Sequence, residues 1–146
     1  AEVAIGSRNV PGGRVENWPL LRRLISRGGS LYARLLLGLP VRDATGGFKC
    51  FRAEVLRQID LDSIRSNGYA FQVEMNYRAH QAGFRISELP IVFPDRVAGD
   101  SKMSRRIVLE AALMVLRLRV AAAPAPMATP ALLAREVGGQ LGKTGE

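Results

Sequence analysis

Three short strand-like runs set among helix-like ones restrict this chain more than any other feature. The runs are EVAIG (Glu2–Gly6), FKCF (Phe48–Phe51) and RISELPIVF (Arg85–Phe93), the last with Pro90 as an edge or bulge signal. A helix is expected after Asn17, a candidate N-cap, with Leu21, Leu24, Ile25, Tyr32, Leu35, Leu36 and Leu39 as its apolar positions. Gly28 and Gly29 weaken its middle by roughly 1 kcal/mol each relative to alanine. Further helices are expected over Ala53–Ile59, through Phe71, Met75 and Ala82, and from Ser104 to about Val120 with Ile107, Ala111, Met114 and Leu118 as the apolar stripe. Strands alternating with helices build an α/β sheet. The strands are few and short for the helices beside them, so the expectation is one part of a larger sheet.

After Val120 the character changes. Residues 121–146 are rich in Ala, Pro and Gly, and are expected to form a disordered tail to a folded part spanning 1–120.

The chain's 146 residues suffice for one domain with a core. Its 21 Lys and Arg outnumber 13 Asp and Glu, a net charge of +8 that favours anionic partners: phosphates, nucleic acid or an acidic membrane surface. Cys50 and His80 are the only residues of their kinds, which excludes an internal disulfide and a Cys/His zinc set. His80 lies in a helix-like stretch with no nucleophile motif nearby, and Cys50 reads as a packed thiol. No apolar run reaches the roughly 18 residues that span a bilayer, and AEVAIGSR lacks a signal-peptide pattern. Nucleic acid is disfavoured as a partner, because the few aromatics fall at apolar positions and no helix-turn-helix, zinc-finger or RNP pattern occurs.

Three basic clusters remain. Arg8 follows the first strand. In RRLISR, Arg22 and Ser26 stand four residues apart on one helical face, an arrangement able to grip a phosphate with several donors. In FPDRVAGDSKMSRR, Arg96 and Lys102 flank Gly99 between a strand and a helix. Each also has an ordinary reading: arginines solvating a helix face, a surface turn with weak ion pairs, Asp43 capping a turn, Glu74 as an exposed helix acid.

Taken together, IGSR, GGRVENWPLLRRLISRG, RDATGGFKCFR, SNGYAFQVEM and ELPIVFPDRVAGDSKM resemble, in order and spacing, the family 2 glycosyltransferases that make polyprenyl-phosphate (dolichyl-phosphate) mannose. GGRVENWPL and PVRDATGG look most like the actinobacterial members, and the resemblance covers about Ala1–Arg119. It implies the C-terminal, acceptor-side part of a GT-A fold, ending in an amphipathic helix. It implies inverting transfer of mannose from GDP-mannose to a lipid phosphate, with Mg²⁺ or Mn²⁺ held by residues outside this chain. By itself the chain would then be inactive. The resemblance implies acceptor-phosphate contacts for Arg8, Arg22 and Ser26, donor-diphosphate contacts for Arg96 and Lys102, a catalytic role for Arg96, Lys102 and Asp43, and positions near the sugar for Asp43 and Glu74. It implies a cytoplasmic protein, peripheral at the inner face of an anionic membrane. A glucose-transferring synthase of the same fold, or a non-catalytic lipid-phosphate or nucleic-acid-binding remnant, stays open as an alternative. So does the long C-terminal helix, which either lies at a lipid interface, packs on the core, or does both.

Overall fold

The computed structural model describes residues 1–94 and 104–121. Arg96, Lys102 and all of the expected 121–146 tail except Ala121, which ends a helix, lie outside the described residues.

Strand β1 (Val3–Ser7) forms the middle of a three-stranded sheet. It pairs antiparallel with β3 (Lys49–Phe51) and parallel with β4 (Ile86–Pro90). Parallel pairing needs a long crossover, supplied here by everything between β1 and β4. A two-stranded ribbon joins β2 (Arg14–Val15) to β5 (Val92–Phe93) in parallel. The single run expected over Arg85–Phe93 is thus two strands, divided after Pro90. Ile91 donates its N–H to Ser7 O and accepts from Arg14 N, so the chain passes from one sheet to the other at that residue.

Helix α1 (Leu20–Leu37) starts later than Asn17. Asn17 adopts a left-handed φ of 58°, a conformation asparagine tolerates, and so cannot act as the cap. Pro19 takes the N-cap place and its carbonyl accepts the N–H of Arg23. At the other end Gly38, at φ 66°, reverses the chain, and its N–H and that of Leu39 satisfy Arg34 O. Helices α2 (Ala53–Gln58), α3 (Gly68–Gln81) and α4 (Arg105–Ala121) follow, with Ser104 Oγ accepting the N–H of Ile107 at the start of α4.

Val3 and Ile5 are completely buried on one face of the sheet. They join a core with Ala33, Leu37, Val55, Val73, Tyr77 and Val115, so β1, α1, α2, α3 and α4 all contribute to it. The stripe expected on α4 packs: Ile107, Ala111, Met114 and Leu118 are all partly buried around Val115. Two other helical expectations change. On α3, Met75 is buried, but Phe71 and Ala82 are exposed, because the helix buries Ala70, Val73 through Tyr77 and Ala79 instead. On α1 the core takes Ser30, Ala33 and Leu37, while Leu24 and Leu35 are 60% and 74% exposed and Leu21 is exposed too. Cys50 is also exposed rather than packed, since its strand turns it to the face away from Val3 and Ile5.

Candidate functional site: an arginine-rimmed apolar cavity

A cavity of about 260 Å³ opens between α1, α3 and α4. Its walls are apolar, with Ile25, Tyr32, Val73, Val108 and Val115 among them, and Arg8, Ser26 and Thr45 supply polar groups. Gly28 and Gly29 lie against it. The glycine pair that weakens the helix therefore also keeps space free beside it. A wider cleft of about 500 Å³ adjoins, with Arg8, Arg22, Gly46, Gly47, Tyr69 and Gln72 on its walls.

Arg8 and Trp18 face both spaces. Arg8 is 9% exposed and its partner Asp43 fully buried. Nε and Nη2 of Arg8 donate to the two carboxylate oxygens at 2.7 and 2.6 Å, and the Arg8 N–H donates to Oδ2 at 2.9 Å. Nη2 also reaches Thr45 Oγ1 at 3.3 Å, which shares a hydrogen bond with Ser30 Oγ. A two-pronged pair of this kind fixes the plane as well as the position of the guanidinium. The guanidinium carbon lies 5.3 Å from the Trp18 ring centre and 5.8 Å from that of Phe93. Trp18 meets Phe93 edge to face, with centres 5.8 Å apart.

Asp43 is itself held. Both oxygens of Glu88 on β4 accept backbone N–H groups, from Arg42 at 2.7 Å and Asp43 at 2.9 Å. Gly46 makes room for the carboxylate: a Cβ there would lie 3.3 Å from it. Asp43 is thus neither a turn cap nor free for chemistry. It sets the position of Arg8, and Glu88 sets the position of Asp43.

Arg22 lies 3.9 Å from the Trp18 ring centre, a stacked cation–π contact. Ser26, one turn on, faces the apolar cavity. The structure therefore gathers Arg8, Arg22 and Ser26 around one indole. Glu74 is elsewhere. It is 3% exposed, accepts from Ser66 Oγ, and binds Arg78 Nε and Nη2 at 2.8 and 2.6 Å. Arg78 continues to Ser63 Oγ and Asp60 O, so Glu74 is a buried tie between α3 and the preceding loop rather than an exposed acid. Lys49 donates to Gln72 O at 2.7 Å, and burial pulls its pKa down to about 7 despite the opposing pull of Asp43.

Among the described residues no three His, Cys, Asp or Glu side chains converge, and Asp43, Glu74 and Glu88 each hold a partner already.

Trp18 and Glu88 carry parts of the site that sequence reasoning passed over. The chain's single tryptophan, in ENWPLL, was a visible signal. Glu88 had none, since a carboxylate that binds backbone N–H groups leaves no mark on spacing.

No family model matches the chain. It is 52% identical over 122 residues to the undecaprenyl-phosphate mannosyltransferase of Micrococcus luteus, covering 84% of this chain and 50% of that protein. It is 46% identical over 115 residues to the polyprenol monophosphomannose synthase of Mycolicibacterium smegmatis, covering 79% of this chain and 43% of that protein. The chain is homologous to polyprenyl-phosphate mannosyltransferases, as its motifs implied. It spans about half the length of the curated relatives it matches.

Proposed function

We propose that this chain is the acceptor-side part of a GT-A glycosyltransferase that moves mannose from GDP-mannose to a polyprenyl phosphate, inverting the anomeric centre. The observation that carries the reading is an apolar cavity bordered by Arg8 and Ser26, with Arg22 stacked beside them on Trp18. A polyprenyl phosphate has the matching form: an ionised head and an apolar chain. Its phosphate is held by Arg22 and Ser26 beside the fixed charge of Arg8, and its first isoprenoid units enter the cavity.

The nucleophile is a phosphate oxygen, already ionised at neutral pH, so no general base is needed. It attacks the anomeric carbon, a new carbon–oxygen bond forms, and the bond to the diphosphate breaks with the electron pair leaving on GDP. Two anions must first be brought together, and fixed arginines lower that cost by neutralisation and orientation. Arg96 and Lys102 are assigned to the leaving diphosphate. No step is assigned to Glu74, whose partners lie within the fold. Mg²⁺ or Mn²⁺ belongs to this reading with ligands outside the chain.

The same reading seats the protein on a membrane surface. Among the described residues no helix is long and apolar enough to cross a bilayer. Helices α1 and α4 pack together, with Tyr32 Oη donating to Ala112 O at 3.2 Å. Each also exposes leucines, among them Leu24, Leu31 and Leu35 on α1 and Leu109, Leu113 and Leu116 on α4. Arg27, Arg105, Arg106, Arg117 and Arg119 are exposed on the same two helices, a composition that suits an interfacial surface at an anionic leaflet.

A chimera in which this chain replaces the matching segment of the Micrococcus luteus relative tests the proposal, with radiolabelled GDP-mannose and undecaprenyl phosphate. Label should pass into the lipid fraction. No transfer by the chimera, beside an active parent enzyme and with the chimera folded, contradicts it.

A further inference from the structure

A smaller opening, of about 20 Å³, lies where the chain after β1, strand β2 and helix α1 meet. It shares Arg8, Trp18 and Ser26 with the apolar cavity, but has its own pair of cations, Arg23 and Arg27, beside Asn9 and Val15. Arg22 is not on its walls.

The charges here are unbalanced. No acid lines the opening, and the charge of Arg8 is matched by Asp43. Arg23 and Arg27 stand one turn apart on α1, where like charges repel. Arg23 also lies near the start of that helix, where the helix dipole is already positive and the first turn holds no acid. Among the described residues neither arginine makes a hydrogen bond or ion pair through its side chain. Two enclosed donors meet no acceptor: Nε of Arg23 and Nε1 of Trp18, a residue only 7% exposed. Enclosed N–H groups in folded proteins ordinarily find one.

Donors without acceptors and cations without acids suit an anion with several oxygens. Size narrows the choice. The opening admits about one or two water-sized groups. That is room for the oxygens of a tetrahedral oxyanion whose body stays at the mouth, and too little for a sugar or a base.

We infer that Arg23 and Arg27 form a second phosphate site, which takes a phosphate monoester or inorganic phosphate. It is separate from the seat assigned to the lipid acceptor, which uses Arg22, and does not depend on that assignment. A lipid headgroup and a free phosphate offer the same oxygens, so the test separates the two sources.

Trp18 is the chain's single tryptophan, so the protein has one indole N–H resonance. That resonance is followed in this chain by ¹⁵N-edited NMR during titration with inorganic phosphate, with dihexanoyl phosphatidate below its micelle concentration, and with chloride at matched ionic strength. Phosphate and phosphatidate should shift it saturably, and chloride should not. Arg23→Gln with Arg27→Gln should weaken both responses by roughly ten-fold or more, because two charge-assisted contacts are lost. Glutamine suits both helical positions, so the melting temperature should hold. Arg22→Ala should move the phosphate affinity by less than about three-fold, since Arg22 lies outside the opening. Tighter binding of phosphatidate than of phosphate assigns the site to a lipid headgroup, and equal binding assigns it to free phosphate. The absence of a saturable shift with either overturns the inference. So does a response lost in Arg22→Ala and kept in the double variant, which would put the anion in the acceptor seat alone.

Discussion

Arg8 and Asp43 stand 35 residues apart in sequence and meet through two side-chain hydrogen bonds of 2.7 and 2.6 Å, with the carboxylate wholly buried. The pair joins the end of β1 to the loop after α1. Removing one member leaves the other's charge without its counter-charge inside the fold, at a cost of roughly 3–5 kcal/mol. Arg8→Met or Asp43→Leu alone should each destabilise by about that much, whereas the double substitution should recover most of it. Urea unfolding of the four proteins measures this. Additive losses would mean that the pair does not act as a unit.

Lys49 makes stability depend on pH. Its pKa is about 7 in the folded chain against an ordinary 10.5, chiefly because burial disfavours the charged ammonium. Below about pH 7 both states hold the proton and the folded chain bears the cost of a buried charge. Between there and 10.5 the unfolded state binds more protons, so stability rises with pH, by at most about 1.4 kcal/mol per unit for this one group. Lys49→Met should flatten the rise between pH 7 and 9, and unfolding curves of both proteins at each pH give the difference. Equal slopes would show that Lys49 is hydrated.

The exposed leucines give a third expectation. The chain should bind vesicles containing anionic phospholipid more tightly than zwitterionic ones, and less tightly at high salt. Leu24→Glu with Leu113→Glu should reduce vesicle binding by roughly ten-fold, since both apolar insertion and charge attraction are lost. Co-sedimentation measures it, and unchanged binding would place those helices against protein instead.

Much of this was readable from spacing. The four helices, the strands of the three-stranded sheet and the spacing of Arg22 and Ser26 follow from local pattern, because hydrophobic spacing reports secondary structure directly, whereas the two-residue strand β2 left no such signal. Which face a helix turns inward does not follow. The leucines of α1 are its most conspicuous positions, yet the core takes Ser30, Ala33 and Leu37, which a hydrophobicity count ranks lower. Glu74 looked like a surface acid because its partner Ser66 lies eight residues away and Arg78 only one turn on. The joining of Arg8 to Asp43 needed the crossover topology. Cys50 read as packed because it sits in a strand-like run, and only the register with Ala4 shows which face it takes.

The central claim is that Arg22 and Ser26, around Trp18, form the seat of a prenyl phosphate. The single tryptophan makes this directly measurable, because its emission reports on the indole against which Arg22 is stacked. Trp18 fluorescence of this chain should change saturably with farnesyl phosphate, and much less with farnesol or inorganic phosphate at equal concentration. Arg22→Ala should weaken the farnesyl phosphate response by about 1.5–3 kcal/mol, on the order of ten-fold to more than a hundred-fold in Kd, and Ser26→Ala by less. An equal response to farnesol and farnesyl phosphate, or a Kd unmoved by Arg22→Ala, would contradict the account.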